Sequence, residues 1–150
     1  RINEYFGQTF EEMFGGGKAL LQLDDPEEPL SCGIEIRVQP PGKQVKTITL
    51  LSGGEKAFVA IALYFAILRV RPTPFCLLDE IDAALDDVNV RKFAAYLRNL
   101  CNKTQFIVIT HRRGTMEEAD VLYGVTMQEQ GVSKILHIDL GQMEEQLGIQ

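Results

Sequence analysis

The chain of 150 residues lacks the glycine-rich loop G-x-x-x-x-G-K-[ST], which cradles nucleotide phosphates between a strand and a helix. Its Gly-Lys pairs are Gly17-Lys18 and Gly42-Lys43, and neither is followed by Ser or Thr. Glycine is also missing five residues before each pair, where Glu12 and Arg37 stand. We therefore expect that this chain alone does not hold ATP.

Paired cysteines and long apolar runs are also missing. Cys32, Cys76 and Cys101 are odd in number and show no C-x-x-C spacing, so neither a disulfide framework nor a zinc site is indicated. A reducing cytoplasm fits this cysteine usage best. The longest apolar run, at 57–68, has 12 residues, short of the roughly 18–20 needed to cross a bilayer. It predicts a buried core helix and no membrane partner.

Basic clusters are sparse as well. The formal net charge is −6 and the densest basic stretches are 69–71 and 112–113, which argues against a broad nucleic-acid-binding face. With 45% hydrophobic and 24% charged residues, the composition is that of a globular domain large enough for one moderate core. We expect one domain, or one lobe of a domain.

The first half of the chain predicts a helix followed by antiparallel strands. Apolar residues recur at helical spacing over 2–14, and the glycines at 15–17 end this helix. Strand-like runs follow at 18–23 and 34–38. We expect the apolar stripe to face a missing neighbouring segment in part, the alternative being that it packs wholly within this domain. The stripe consists of Ile2, Tyr5, Phe6, Phe10, Met13 and Phe14.

The second half predicts parallel strands joined by a helix, and then a hairpin. The strand over 75–78 does not alternate, so we expect it to be parallel and buried on both faces. S-x-x-E at 52–55 and T-x-x-E at 115–118 fit capping boxes, and Asp86 or Asp87 is the expected N-cap of the second helix. The predicted segments are a helix from 52 to about 68, a strand at 75–78, a helix at 88–100, a strand at 106–109, and hairpin strands at 121–127 and 132–140.

Three polar residues follow the two predicted parallel strands directly: Asp79, Glu80 and His111. Ligands collect at the carboxyl ends of strands in an open parallel sheet. Asp79 suits magnesium coordination, Glu80 can polarise an attacking water, and His111 can donate a hydrogen bond to a phosphate. The plainer interpretations are an acidic helix-capping turn and a structural histidine. The apolar strand, the acid pair and a distant Ser-Gly-Gly together favour a site.

Ser52, Gly53 and Gly54 open the long apolar helix. A helix N-terminus with free N–H groups and two residues without side chains lets a phosphate approach closely. A plain helix cap would have the same sequence, so the motif itself does not discriminate. The 27-residue spacing from Ser52 to Asp79 (79 − 52), with a strand between them, favours function.

Two strings carry a family resemblance: LSGGEKAFVAIALYFAILRVRPTPFCLLDEIDAALDDVNV at 51–90 and FIVITHRRGTMEEADVLYGVTMQEQGVSKI at 106–135. The first resembles the signature motif and Walker B strand of ABC-type ATPases. Together they resemble the C-terminal head lobe of a bacterial structural maintenance of chromosomes (SMC) protein, over nearly the whole chain. Glu55-Lys56 after the signature glycines is particular to that family, since ABC transporters usually have Gln at position 55.

The resemblance implies an α/β fold, the C-terminal half of an ABC-type P-loop NTPase head, with parallel strands flanked by helices and antiparallel strands near both ends. Residues 1–150 would form this lobe, and the helix over 1–14 would continue from a coiled coil. The Walker A motif would lie on the N-terminal lobe of the same polypeptide. The missing phosphate loop is then expected.

The resemblance also implies the site residues. The signature motif at 51–55 would face ATP held by a second SMC head, and the Walker B strand at 75–80 would supply a Mg²⁺ ligand and the residue that activates water. The D-loop at 84–87 would cross the head interface, and a switch strand at 106–111 would end in the switch histidine. The implied residues are Leu51, Ser52, Gly53, Gly54, Glu55, Asp79, Glu80, Ala84, Leu85, Asp86 and His111.

The implied partners are the N-terminal lobe, a second head, the C-terminal winged-helix domain of a kleisin subunit, and DNA through the whole complex. Such a complex compacts and segregates chromosomes in the nucleoid of the cytoplasm. Three alternatives stay open: a coiled-coil ABC ATPase of DNA repair, the nucleotide-binding subunit of a transporter, and a docking module without catalysis. A transporter subunit would carry Walker A in the same compact domain, and a repair ATPase would have no kleisin site.

Overall fold

A computed structural model describes residues 1–140 of the chain. Its elements are α1 (Ile2–Phe14), β1 (Lys18–Leu23), β2 (Ile34–Gln39), β3 (Lys46–Thr47), α2 (Gly53–Val70), β4 (Phe75–Asp79), α3 (Asp87–Leu100), β5 (Gln105–Ile109), α4 (Arg113–Met116), β6 (Val121–Glu129) and β7 (Val132–Asp139), with a 3₁₀ turn at Ile48–Leu50. The predicted mixed α/β fold is confirmed.

Helix α1 buries the middle of its apolar stripe within this chain, while Ile2 at its start stays 39% exposed. Phe6, Phe10 and Met13 are fully buried, and the Phe14 ring lies 4.7 Å from that of Phe58 on α2. The expectation that the stripe partly faces a missing segment is therefore wrong for these residues. The reason is geometric: Gly15 ends the helix in the left-handed conformation at φ 75°, and the chain turns back so that α1 packs on α2.

Strands β1, β2 and β3 form an antiparallel sheet in that order. Asn3 ties α1 to this sheet, because its side chain accepts from the Leu21 N–H at 2.8 Å and donates to the Leu21 carbonyl at 3.0 Å. Gly17, at φ 90°, lies so close to the Gln39 carbonyl that a Cβ there would clash with it. The close approach of the chain before β1 to the end of β2 therefore requires glycine at position 17.

Helix α2 is the centre of the core. It is apolar nearly all round and is covered on several sides, as expected for a buried helix. It runs to Val70, two residues beyond the expected end. The Phe65 ring lies 6.0 Å from Phe93 on α3 and 6.3 Å from Phe106 on β5, so α2 joins the helical layer to the parallel strands.

Strands β4 and β5 pair in parallel, as predicted. Their burial on both faces was predicted wrongly, because Cys76 and Leu78 are buried against the core while the alternate residues remain exposed. No helix of the described residues covers that second face. The exposed side chains are Phe75 (62%), Leu77 (58%), Ile107 (49%) and Ile109 (50%), and we call them the bare face.

The caps of the later helices were predicted with mixed success. Asp86 is the N-cap of α3 and accepts from the Asn89 N–H at 2.8 Å. The second capping box is wrong: α4 starts after Arg112, without a side-chain cap, and Thr115 lies inside it. The hydroxyl of Thr115 bonds elsewhere because a buried carboxylate lies within its reach.

The predicted hairpin forms from β6 and β7, with Val125 opposite Ile135. Both of these side chains are exposed, so the hairpin presents an uncovered apolar face. The last predicted strand residue, Leu140, lies just beyond β7. Among residues 1–140, no helix is long and apolar enough to span a membrane.

Candidate functional site

The acid pair lies where the two parallel strands end. Asp79 is the last residue of β4 and Glu80 follows it, with the Glu80 N–H donating to the Ile109 carbonyl of β5 at 2.9 Å. Glu80 has φ 46°, in the left-handed region that a residue with a side chain rarely adopts. Such backbone strain concentrates at functional sites, where the surrounding structure enforces it.

His111 lies beside Glu80. Its Nδ1 is 3.8 Å from the Glu80 Oε1, and both side chains are exposed. This separation is too long for a direct hydrogen bond, so within the described part of the chain the two side chains do not satisfy each other. The structure thus brings together Asp79, Glu80 and His111 at one sheet edge, as the sequence predicted.

Asp79 is an exposed carboxylate at this edge. Within residues 1–140, no group of three or more His, Cys, Asp or Glu residues is arranged to hold a metal ion. Magnesium needs no such cage, since it is commonly held by one or two carboxylates together with waters and substrate phosphates. A single open carboxylate therefore fits a metal that arrives with a nucleotide.

The Ser-Gly-Gly segment forms a complete cap on α2. The Ser52 Oγ accepts from the Glu55 N–H at 3.4 Å, and the Glu55 carboxylate accepts from the Ser52 N–H at 3.2 Å. The Lys43 ammonium donates to the same carboxylate at 2.6 Å. Hydrogen bonds from Lys43 and Ser52 lower the pKa of Glu55 to about 2, which keeps its carboxylate charged and the cap closed.

The two glycines of this cap differ in their surroundings. A Cβ at Gly53 would meet no atom of the described residues within 4 Å, whereas at Gly54 it would lie 3.3 Å from the Ala84 carbonyl. Gly53 therefore leaves open space at the start of α2, and Gly54 permits close packing on the turn after β4. The predicted signature and D-loop segments are neighbours in this structure.

The turn after β4 is held from inside by a residue whose role was missed in the sequence. Asp82 belongs to none of the motifs that predicted the site, yet it is fully buried. Its Oδ2 accepts from the hydroxyls of Thr110 at 2.7 Å and Thr115 at 2.5 Å. The threonines lie 28 and 33 residues further on, so no local pattern revealed this contact.

The D-loop segment is otherwise ordinary turn structure. The Leu85 side chain is buried, while Ala84 and Asp86 are exposed. Backbone bonds close the turn, from the Ala83 N–H to the Glu80 carbonyl and from the Leu85 N–H to the Asp82 carbonyl, both at 3.1 Å. Asp86 is the N-cap of α3. This structural role is compatible with the interface role that the family resemblance implies for the D-loop.

Comparisons with known proteins agree on one family. The family described as "RecF/RecN/SMC N terminal domain" matches residues 30–134. "Chromosome partition protein Smc" of Bacillus subtilis (strain 168) is 59% identical over 145 residues, which cover 97% of this chain. The chain spans 12% of the length of that relative.

Comparison with solved structures indicates the same family from the fold. One, described as "Structural biochemistry of ATP-driven dimerization and DNA stimulated activation of SMC ATPases", superposes with a TM-score of 0.86 at 43% identity, over 98% of this chain and 89% of that chain. Another, "Crystal structure of the SmcHead bound to the C-winged helix domain of ScpA", gives 0.86 at 45% identity, over 96% and 44%. The chain is thus a member of the RecF/RecN/SMC N-terminal domain family and, within it, of the structural maintenance of chromosomes proteins.

Proposed function

We propose that residues 1–150 are the C-terminal lobe of an SMC ATPase head that acts in chromosome condensation and segregation. The observation that carries this proposal is the juxtaposition of Glu80 and His111 at the carboxyl ends of β4 and β5, in a chain without a phosphate loop. A catalytic carboxylate can act on ATP only if a phosphate-binding loop holds the nucleotide. In this chain, another segment must supply that loop.

The bare face supports a second lobe in the same head. Its four large apolar side chains would be costly to leave in water, and contiguous exposed apolar surface marks an interaction site. We assign this face to the N-terminal lobe that carries Walker A. In the first solved structure above, the aligned chain has nearly the length of this one, which supports a head built from separable parts.

The proposed chemistry divides among three residues. ATP with its magnesium would supply the transferable phosphoryl group and the charge neutralisation of phosphoryl transfer. Asp79 would hold the metal through water, Glu80 would orient the attacking water and take up its proton, and His111 would donate a hydrogen bond toward the terminal phosphate.

A second SMC head would complete the nucleotide site. The start of α2, with Ser52 and the open Gly53, would meet the phosphates of ATP bound to the opposing head, since helix N-termini favour anions. Leu51, Gly54 and Glu55 would shape this signature segment, and the D-loop at 84–87 would cross the interface beside it. Hydrolysis would then release the engaged heads.

The remaining partners are a kleisin subunit and DNA. We propose that a kleisin C-terminal winged-helix domain docks on residues 121–150, as supported by the SMC head solved with that domain of ScpA. The uncovered apolar face of the β6–β7 hairpin belongs to this region, while 141–150 lie outside the described residues. DNA would be bound by the whole complex in the nucleoid.

The test of the proposed function uses the full SMC polypeptide. Glu80→Gln keeps the size of the side chain and removes the base, so hydrolysis should fall by about a hundredfold or more while ATP binding and ATP-dependent head dimerisation persist. Steady-state hydrolysis and light scattering measure these two outcomes. Glu4→Gln, on the exposed start of α1, is the matched control.

Residues 1–150 without the Walker A segment should neither hydrolyse nor tightly bind ATP. Micromolar binding of Mg-ATP to this lobe alone, measured by calorimetry, would refute the division of the site between two lobes. Undiminished hydrolysis by Glu80→Gln would refute the catalytic assignment.

A further inference from the structure

Only one oxygen of the buried Asp82 carboxylate has a hydrogen-bond partner among residues 1–140. Its Oδ2 accepts from the Thr110 and Thr115 hydroxyls, whereas its buried Oδ1 has no partner in this part of the chain. Burying a carboxylate with half of its acceptor capacity unused costs free energy that an apolar side chain in the same place would not cost. Packing of the turn alone therefore does not account for an acid at this position.

Asp82 joins the two segments that carry the predicted catalytic groups. It lies two residues after Glu80, in the turn whose backbone bond from the Ala83 N–H holds the Glu80 carbonyl. Its partner Thr110 is adjacent to His111, and the Thr110 Oγ1 also accepts from the Arg112 N–H at 2.9 Å. The backbone on both sides of His111 is thus tied, through one hydroxyl, to the turn that follows Glu80.

The hydrogen bonds from Thr110 and Thr115 to Asp82, which we call the clamp, also explain how the strained backbone of Glu80 persists. Glu80 has its backbone in the left-handed region, and a residue with a side chain keeps this strained conformation only where the surrounding structure enforces it. The Glu80 N–H bond to Ile109 holds the turn from the strand side, and Asp82 holds it from the interior. Loss of the bond to Ile109 or of the Asp82 contacts would let the Glu80 backbone relax. The distance between the Glu80 and His111 side chains would then change.

We propose that Asp82, bonded to Thr110 and Thr115, is a positioning residue for ATP hydrolysis. It fixes the separation of Glu80 and His111 without itself reaching substrate, because it is fully buried behind the turn. This inference rests on the proposed function, since it assumes that Glu80 and His111 act on one phosphate.

The test is Thr115→Val in the full SMC polypeptide. Thr115 donates to Asp82 from α4 and is four residues from His111, so its loss loosens the clamp without altering a neighbour of the catalytic groups. We expect kcat to fall by about tenfold to a hundredfold, the size of effect that a small misplacement of catalytic groups produces, with KM for ATP changed by less than about twofold. Thr115→Ser keeps the hydroxyl and should restore kcat.

Thr104→Val is the matched control. Thr104 is 4% exposed and Thr115 6%, and the Thr104 hydroxyl donates to the Thr73 carbonyl at 2.8 Å at the opposite end of β5. Both variants remove one hydroxyl bond, and Thr115→Val should lower the thermal midpoint more because its acceptor is a carboxylate, but Thr104→Val should leave kcat within about twofold of the wild type. Each kcat is calculated per mole of folded protein.

The outcomes separate the two proposals. If Glu80→Gln abolishes hydrolysis while Thr115→Val matches Thr104→Val in kcat, the positioning role is wrong and the proposed function stands. A loss confined to KM, or a Thr115→Ser variant as slow as Thr115→Val, also overturns the positioning role. If Glu80→Gln hydrolyses ATP normally, the proposed function itself fails. Should Thr115→Val not fold, Thr115→Ala and the Thr115→Ser rescue give the same decision.

Discussion

Helix α1 and the β4–β5 sheet each carry a large apolar surface, and the two surfaces have opposite surroundings. Phe6 and Phe10 on α1 are wholly buried by this chain, whereas Phe75 and Leu77 on β4 are more than half exposed. Their sequence patterns predicted the reverse assignment. The difference teaches that an apolar pattern predicts a surface suited to burial, without stating whether the same chain covers it.

The physical reason lies in the connections. After α1, the left-handed Gly15 sends the chain back, so that α1 can lie along α2. The parallel strands β4 and β5 have a crossover helix on one side only, and a sheet buried on both faces needs a layer on each side. The second layer is not found among residues 1–140, and so one face stays bare.

The largest expected effect comes from deleting a ring on each surface of the lobe of residues 1–150. Phe10→Ala should lower the free energy of unfolding by about 3–5 kcal/mol, because a fully buried ring leaves a cavity. Phe75→Ala should change it by less than about 1 kcal/mol, because this ring is already largely in water. Urea unfolding followed by circular dichroism measures both. Equal losses in the two variants would break the comparison.

The next effect tests what covers the bare face. Leu77→Lys should weaken association with the Walker A segment by about tenfold or more, since a lysine charge would be buried where an apolar side chain belongs. Ile67→Lys, at a similarly exposed position on α2, is the matched control and should leave association unchanged. Titration of the two separately produced lobes measures the dissociation constants. Equal weakening by both variants would place the interface elsewhere.

The smallest expected effect is on the pH dependence of stability, which depends on the polar cap of α2 and not on the apolar contacts of α1. Since hydrogen bonds from Lys43 and Ser52 lower the Glu55 pKa from 4.5 to about 2, the ionised cap stabilises the fold above about pH 4.5, and this stabilisation is lost as the pH falls toward 2. Lys43→Met removes the first of these bonds, so the folded-state pKa of Glu55 should rise.

Stability in Lys43→Met should therefore fall less steeply between pH 4.5 and 2 than in the wild type, with a change below about 1 kcal/mol at pH 7. Urea unfolding at several pH values measures this slope. Phe10→Ala should leave the slope unchanged, because that ring carries no charge. An unaltered acid slope in Lys43→Met would show that Lys43 does not hold the cap in solution.

Local features of the fold were predictable because short-range chemistry sets them. The helix over 2–14 and the strand over 18–23 have the predicted bounds, and the Ser52–Glu55 capping box is complete. The Thr115–Glu118 box failed, although its pattern is the same, because a buried acid competes for the Thr115 hydroxyl. A motif of four residues cannot report a partner that lies 33 residues earlier in the chain.

The sequence by itself determined the family, the order of helices and strands except the short β3, and the position of Asp79, Glu80 and His111 at the ends of two parallel strands. The family follows from the resemblance of the strings at 51–90 and 106–135, and the elements and site positions follow from periodicity, caps and motif spacing, which act over a few residues. The tertiary structure decided that α1 is covered by its own chain, that β4 and β5 have a bare face, and that Asp82 is buried beneath the turn after Glu80. Burial and long-range hydrogen bonds depend on which surfaces meet, and only the folded chain brings those surfaces together.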